Sequence, residues 1–349
     1  MDLSAAMMAF SELGEAGLPE RTSGLHCLLR RGVTCHQAGR TEEALALYSE
    51  VLVAEPENAH ALNLAGVAQV QLRNPEQAVK LLKQAIALDP DYAEAHRNLG
   101  IALKELGWLA EAAHAHRRVL QLMPHYAEGY NNLGIVLRQL GQLDEAIAAF
   151  QQAVTLQPEY AEAHSNLGHV LLGNNELSEA SASFQRSVAI NADVPDTHRS
   201  LAIVFQLQGK LDKAIASYRR ALALNPKRPS DHRSLGNLLR KQGDLDKAIA
   251  SYRQAVALNP DYALAYADLA NALLAKGDGR QAVDHFRHAL RLNPGSTDVH
   301  LGLGIALHQI RDWGAALQAY NDCLQLDPGN AHAIECKAIV LQNMGDDQP

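Results

Sequence analysis

Asparagines at a fixed interval are the side chains of this sequence whose type and spacing best suit the binding of a peptide. Asn98, Asn132 and Asn166 are 34 residues apart, and each begins the tripeptide Asn-Leu-Gly. A carboxamide offers both hydrogen-bond donors and acceptors, so a row of such groups can hold the backbone of an extended peptide without reading its sequence. The same interval continues in three further polar residues: Ser200, Ser234 and Asp268.

Basic residues accompany this row and favour a ligand of opposite charge. The residues that directly precede a member of the row are Arg97, Asn131, Arg199 and Arg233, of which Asn131 is a further amide. The residues that follow a member of the row by six positions are Lys104, Arg138 and Arg240. Arginine holds a carboxylate or phosphate in a bidentate fork, which predicts an acidic or phosphorylated peptide. The alternative is a merely solvated face, because Glu94, Glu128 and Glu162 recur at the same interval and offset the positive charge.

No residues predict catalysis, a metal site or a cofactor. The sequence has 16 histidines, but five of them recur singly on the 34-residue interval, where we expect them to pack rather than to bind metal: His96, His164, His198, His232 and His300. Gly302-Leu303-Gly304 lies inside a predicted helix with no preceding strand, so the context of a dinucleotide-binding loop is absent. Acidic pairs such as Asp144-Glu145 fall in the first turn of predicted helices, where the helix dipole favours them.

The same 34-residue period runs through most of the chain and defines the elements that position these side chains. Eight prolines fall on one grid: Pro56, Pro90, Pro124, Pro158, Pro226, Pro260, Pro294 and Pro328. One column is always alanine: Ala44, Ala78, Ala112, Ala146, Ala180, Ala214, Ala248, Ala282 and Ala316. Another column is bulky: Tyr48, Leu82, His116, Phe150, Phe184, Tyr218, Tyr252, Phe286 and Tyr320.

Each column has a physical cause in a pair of helices. Apolar residues recur at helical spacing in two stretches of about 14 residues per period, which predicts two helices joined by a turn. Small residues such as Gly134 mark the place where the two helices cross, since they let backbones approach, and the bulky column fills the space beside that crossing. Glycines such as Gly141 provide the left-handed end of the first helix. Proline ends the second helix.

These columns identify the chain as resembling the tetratricopeptide repeat, a helix-turn-helix unit of 34 residues. The fold predicted is all-α: a right-handed superhelical α-solenoid of antiparallel helix pairs, with nine repeats plus a C-terminal solvating helix. We number the predicted repeats 1 to 9, and their bounds are 25–58, 59–92, 93–126, 127–160, 161–194, 195–228, 229–262, 263–296 and 297–330.

The two ends are predicted to cap the array. Residues 1–24 are interpreted as a capping helix and linker, because one helical face gathers four apolar residues: Leu3, Met7, Phe10 and Leu13. The alternatives are a partner-docking helix and a disordered segment. Residues 331–349 are predicted to form a capping helix and polar tail. There Lys337 stands in a column that is leucine in seven repeats, and Ile334 and Leu341 stay apolar on the same face.

The resemblance implies that the first helices line a concave groove, with the asparagine row and the basic residues facing it. The asparagine row is similar to the repeat arm of O-GlcNAc transferases, in which such asparagines bind the main chain of protein substrates. The alternative is that asparagine is common at this repeat position and only solvates the groove. The carboxylate clamp of chaperone co-factors is matched in part, by Arg233 and Asn237, but its third place holds Asp268, which would repel a carboxylate.

The sequence therefore predicts a non-catalytic adaptor that binds proteins or extended peptides. The alternative is the substrate-recognition arm of a larger enzyme, such as an O-GlcNAc transferase-like glycosyltransferase or a repeat-linked sulfotransferase or oxygenase. The net charge of −8 does not suggest nucleic acid or an anionic membrane as a partner. Four cysteines without a C-x-x-C pair, and the lack of a signal peptide or membrane span, predict a reducing, cytoplasmic location. Self-association is left open.

Overall fold

The structure is a computed structural model that describes residues 20–346, and all the regular secondary structure in that range is α-helical. The chain forms two compact units, Met1–Ser183 and Phe184–Pro349, which are described separately. The predicted fold class, an all-α chain of repeated helix pairs, is confirmed. The predicted capping helix with Leu3, Met7, Phe10 and Leu13 lies outside the described residues.

The helices are numbered in chain order. Those of the first unit are α1 (Glu20–Gln37), α2 (Thr41–Ala54), α3 (Ala59–Gln71), α4 (Pro75–Leu88), α5 (Ala93–Glu105), α6 (Leu109–Leu122), α7 (Ala127–Gln139), α8 (Leu143–Leu156) and α9 (Ala161–Gly173). Helix α10 (Leu177–Ile190) contains the boundary between the units. Those of the second unit are α11 (Pro195–Leu207), α12 (Leu211–Leu224), α13 (Pro229–Gln242), α14 (Leu245–Leu258), α15 (Ala263–Lys276), α16 (Gly279–Leu292), α17 (Thr297–Gln309), α18 (Trp313–Leu326) and α19 (Ala331–Asp346).

Odd-numbered helices are the first, or A, helices of the pairs, and even-numbered helices are the second, or B, helices. Within each unit an A helix packs most extensively on the B helix of its own pair, and that B helix packs on the next A helix. Where the two helices of a pair cross, the small column meets the bulky column as predicted. A β-carbon placed on Gly134 would lie 2.7 Å from Cε1 of Phe150, and the Phe150 ring is fully buried.

The turn between the helices of a pair has one backbone geometry throughout the described residues. The six glycines predicted at this place all have positive φ: Gly39, Gly107, Gly141, Gly209, Gly243 and Gly277. Three turns use other residues in the left-handed region, namely Arg73, Asn175 and Arg311, with φ of 62–63°. The turn between pairs is stabilised by asparagine or aspartate side chains, as when the backbone N–H of Asp261 donates to Oδ1 of Asn259 at 3.1 Å.

Helix α19 ends the described part of the second unit and is buried on one side only. Ala333 and Val340 are fully buried, whereas Ile334 and Leu341 are 51% and 52% exposed and Lys337 is half-buried. That this helix caps the array stays a prediction. In the part of the chain that the structure describes, no helix has the length and apolar character required to span a membrane.

Candidate functional site

Asparagines of the first unit bond to one another across successive A helices, and three of the four that do so were predicted as site residues. Asn98 on α5 donates from Nδ2 to Oδ1 of Asn63 on α3 at 2.9 Å, and Asn166 on α9 donates in the same way to Asn131 on α7 at 2.9 Å. Asn98 is 5% exposed and Asn131 is 1% exposed. These amides therefore stabilise the stacking of the A helices, whatever they contribute to a ligand.

A column of tyrosines completes this network, and the sequence analysis missed it. Tyr92, Tyr126 and Tyr160 stand at the end of repeats 2, 3 and 4, two residues after the grid proline. The hydroxyl of Tyr92 accepts from Nδ2 of Asn63 at 3.2 Å, and that of Tyr160 accepts from Nδ2 of Asn131 at 3.3 Å. The signal was present in the recurring Pro-x-Tyr, but only the contacts connect it with the asparagines.

Burial strengthens the preference of these tyrosine hydroxyls for the protonated form that they have at neutral pH. It raises the pKa of Tyr92, Tyr126 and Tyr160, and nearby carboxylates such as Glu162 act in the same direction on Tyr160. Each neutral hydroxyl can accept one hydrogen bond and donate another. The hydroxyl of Tyr126 does both, since it accepts from Nη1 of Arg97 at 3.2 Å and donates to Glu128 at 2.5 Å.

Three of the predicted residues on the A-helix face of repeats 3 and 4 have no partner within the described chain. Asn132 makes no side-chain hydrogen bond there, and Lys104 and Arg138 form no ion pair with any described residue; all three are half-buried. Since protein groups of this kind normally bond to protein, water or a ligand, these three have free capacity for an external partner.

The same short line of side chains occurs on two successive A helices. Helix α5 carries Asn98, Ile101 and Lys104, and helix α7 carries the equivalent Asn132, Ile135 and Arg138. Residues three apart lie on the same face of a helix. Both isoleucines are half-buried. We call these six residues the Asn-Ile-cation lines. They place an amide, an aliphatic surface and a positive charge in the same order on two neighbouring helices.

In the second unit, two of the three predicted arginines, Arg199 and Arg233, are paired with carboxylates of the same chain. Arg199 donates to Oδ1 of Asp196 at 2.8 Å, and Arg228 donates to the same oxygen at 2.6 Å. The hydrogen bond from Arg228 is the main reason why the pKa of Asp196 lies below its usual range. Arg233 donates from Nε to Oδ2 of Asp268 at 2.6 Å. These pairs reduce the positive charge that the second unit can offer to a ligand.

The residues that partly match a carboxylate clamp are also bonded to other side chains of the same chain. Besides the pairing of Arg233 with Asp268, Oδ1 of Asn237 accepts a hydrogen bond from the hydroxyl of the buried Tyr252 at 2.7 Å. Of the predicted residues in this unit, Arg240 is exposed at the end of α13. Arg240 also hydrogen-bonds to Tyr252, so Asn237 and Arg240 share that hydroxyl, and the groups of the partial clamp are bonded within the chain.

The recurring histidines have a structural role at the turns between repeats. Nε2 of His96 donates to the carbonyl of Pro90 at 2.9 Å, and Nε2 of His232 donates to the carbonyl of Pro226 at 2.9 Å. His164, His198 and His300 make the equivalent bond to the carbonyl six residues before them. Among the described residues, no group of three or more His, Cys, Asp or Glu side chains is placed to hold a metal ion.

Family models of the repeat match along most of the chain. A model described as "TPR repeat" matches residues 74–107, 135–175 and 236–277. Models described as "Tetratricopeptide repeat" match residues 29–72 and 267–331, residues 195–228, and residues 161–194. A comparison with curated proteins gives no match. The predicted likeness to the repeats of O-GlcNAc transferases in particular stays a prediction.

Solved structures share the fold at low sequence identity. The protein YrrB, described as a TPR protein with an unusual peptide-binding site, is 20% identical; the match covers 54% of this chain and 98% of YrrB, with a TM-score of 0.51. PilF of Pseudomonas aeruginosa is 24% identical, with 62% and 97% covered and a TM-score of 0.53. The C-terminal part of a TPR repeat-containing protein from Cytophaga hutchinsonii is 19% identical, with 68% and 97% covered and a TM-score of 0.58.

Proposed function

Because this chain belongs to the tetratricopeptide-repeat family, we propose that it is a non-catalytic protein-interaction module that binds an extended peptide segment of a partner protein on its A helices. The observation that carries this proposal is the pair of Asn-Ile-cation lines on α5 and α7. Three of their polar groups, Asn132, Lys104 and Arg138, have no partner in the described chain. YrrB has the same fold over about half of this chain and carries a peptide-binding site, so the fold can support this role.

Each member of the lines has a distinct task in this mechanism. The amide of Asn132 donates to a peptide carbonyl and accepts from a peptide N–H, which needs no particular peptide sequence. Ile101 and Ile135 contact an apolar side chain of the peptide. Lys104 and Arg138 attract a carboxylate, and Arg138 can hold it in a bidentate fork.

The asparagine bonds form a ladder that fixes α5 beside α3 and α9 beside α7, and so holds the two helices that carry the lines. Asn98 uses one N–H for Asn63, which leaves its second N–H and the lone pairs of Oδ1. Because Asn98 is almost fully buried, its contribution is to fix α5 beside α3. Preorganised groups lose less entropy on binding than mobile ones do, so the ladder and the tyrosines favour affinity indirectly.

The expected affinity is modest. A neutral hydrogen bond contributes about 0.5–1.5 kcal/mol net, and ordering a flexible peptide offsets much of the contact energy. Binding of this strength suits an adaptor that exchanges partners.

The test is affinity purification from a lysate of the source cells, followed by mass spectrometry, with three forms of the chain. The line variant is Lys104→Gln/Asn132→Ala/Arg138→Gln. The control variant is Lys80→Gln/Lys83→Gln/Gln151→Ala, which removes the same groups from exposed positions of the B helices α4 and α8. We expect specific partners to be lost with the line variant and retained with the control. Equal partner lists for all three forms would contradict the proposal.

A further inference from the structure

The chain carries a concentrated block of positive charge although its net charge is negative. Residues 195–296, which are repeats 6 to 8, contain 16 Lys and Arg against nine Asp and Glu, whereas the whole chain has a net charge of −8. Several cations of this block lie on the A helices and turns and are paired, as Arg233 is with Asp268. The B helices of the same repeats hold a second set, which the peptide-binding proposal does not use.

Three arginines on these B helices occupy the same position of successive repeats. Arg219 on α12, Arg253 on α14 and Arg287 on α16 are 34 residues apart and all exposed. We call them the arginine row. An equivalent arginine in repeat 3, Arg117, shows where such a side chain points: it pairs with Glu145 on the next B helix at 2.8 Å.

In the arginine row, the position of the next repeat that corresponds to Glu145 does not hold an acidic residue. Where Arg117 has Glu145, Arg253 has Gln281 and donates a neutral hydrogen bond to it at 3.2 Å. Arg287 has Ala315 at that place. Arg219 has Lys247 there; the charge of Arg219 interacts with Asp244, but Asp244 is already paired with the ammonium of Lys247 at 2.5 Å.

Of the residues that directly follow the three arginines of the row, one is an arginine that keeps an acidic partner, and the other two are Gln254 and His288. Arg220, the residue after Arg219, forms an ion pair with Asp193 at 3.4 Å, and Arg118 forms the equivalent pair with Asp91 at 2.6 Å. An exposed arginine gains little from a neutral neighbour and can hold a carboxylate from another molecule in a bidentate fork.

We propose that the arginine row is a second interaction surface, distinct from the A-helix face, and that it binds an acidic segment of a partner protein through glutamate or aspartate side chains. The chain's own use of Glu145 against Arg117 shows that a carboxylate fits the geometry. Acidic residues Asp212 and Asp284 lie on two of the same B helices, whereas Asp246 on the third is paired with Lys276. A continuous phosphate backbone would be repelled by them, whereas a peptide can place its charges between them.

The experiment uses the full chain and a fluorescein-labelled peptide with glutamate at every second position. The row variant is Arg219→Gln/Arg253→Gln/Arg287→Gln. The control variant, Lys80→Gln/Lys83→Gln/Arg117→Gln, removes three charges from B helices of the first unit. Fluorescence anisotropy gives each Kd, and thermal unfolding by circular dichroism checks that each variant is folded. We expect the row variant to bind at least tenfold more weakly than the wild type, and the control variant to bind as the wild type does.

Two further ligands test what kind of partner the row binds. A peptide with glutamine in place of every glutamate should not bind, and a single-stranded thymidine oligonucleotide of the same charge should bind more weakly than the glutamate peptide. Tighter binding of the oligonucleotide would overturn the proposal in favour of nucleic acid. Equal weakening in the row and control variants would overturn it in favour of unspecific attraction. Loss with the line variant alone would place the peptide on the A helices.

Discussion

At the scale of single residues, the same side chains both hold the repeats together and define the candidate site. Asn98 and Asn166 each begin the tripeptide Asn-Leu-Gly. In the structure they bond to Asn63 and Asn131 of the preceding repeats. Asn132 stands in the same column without such a bond because its counterpart in the preceding repeat is Arg97, which donates to Tyr126 instead. One changed residue in a neighbouring repeat thus frees the amide of Asn132.

The buried His116 should make stability depend on pH. It occupies the bulky column, is 1% exposed, and its Nδ1 has no hydrogen-bond partner in the described structure. Burial, with smaller effects from Lys104 and Arg97, lowers its pKa to about 4 from 6.5. The unfolded chain then takes up a proton before the folded chain does. The stability that neutral His116 contributes is therefore complete above about pH 6.5 and is lost as the pH falls toward about 4.

His116→Phe should remove this pH dependence, because phenylalanine fills the same column at Phe150 without titrating. As the pH falls between those limits, we expect the free energy of unfolding of the wild type to decrease relative to that of the variant by roughly 1.4 kcal/mol per pH unit. Urea unfolding followed by circular dichroism at several pH values measures the difference. Parallel curves for the two proteins would show that His116 does not titrate in this way.

Gly134→Leu should destabilise the first unit. Even a β-carbon at Gly134 would lie 2.7 Å from the Phe150 ring, so a larger side chain forces α7 and α8 apart. The expected loss is roughly 1–3 kcal/mol or more, measured as a lower melting temperature. Gly173→Ala is the control, because no atom lies within 4 Å of its added carbon. A melting temperature of Gly134→Leu equal to that of the wild type would refute the helix register.

At the scale of the elements, the sequence was sufficient for the helices and insufficient for the contacts between repeats. The helix pairs follow from columns whose cause is local, such as the crossing of Gly134 and Phe150 or the turn at Gly141. The pairing of Arg233 with Asp268 joins residues 35 apart in different repeats. Sequence reasoning identified both as site residues, but only the distance shows that one neutralises the other.

The turn between the helices of a pair offers a way to stabilise the chain. Arg311 has φ of 63°, in the left-handed region that costs an L-residue other than glycine roughly 1–2 kcal/mol. Six turns of the same kind have glycine there. Arg311→Gly should therefore raise the melting temperature, with a gain of about 0.5–1 kcal/mol after the entropic cost of glycine.

The reverse substitution is the matched control for this prediction. Gly141→Arg introduces at a glycine turn, with φ of 76°, the residue type that Arg311 has naturally. It should lower the melting temperature by a similar amount. If Arg311→Gly also lowers the melting temperature, the arginine side chain contributes more at that turn than the backbone strain costs.

At the scale of the whole molecule, charge is distributed unevenly along an array whose repeats are alike in fold. The Asn-Ile-cation lines lie in the first unit and the arginine row lies in the second. Each unit therefore carries one of the two proposed interaction surfaces. The sequence predicted the basic residues of the A helices but not all of their pairing: Arg199 and Asp196 are three residues apart on α11, whereas Arg228 reaches the same aspartate from 32 residues away.

Salt should weaken the binding of peptide partners to the A helices. Lys104 and Arg138 are half-buried and have no internal carboxylate, so their attraction for an acidic residue is screened as ionic strength rises. We expect the Kd of a recovered partner peptide to rise several-fold between about 0.05 and 0.5 M salt, measured by isothermal titration calorimetry. An affinity independent of salt would assign the binding to Asn132 and the isoleucines alone.

The most direct test of the central claim is photocrosslinking from defined positions. A photoreactive amino acid is placed at position 135 in the Asn-Ile-cation line of α7, and in a second form at position 151 on the neighbouring B helix α8. Both forms are irradiated in a lysate of the source cells, and adducts are identified by mass spectrometry. The account predicts that position 135 crosslinks to short segments of specific partner proteins and that position 151 does not. Specific adducts from position 151, with none from position 135, would contradict it.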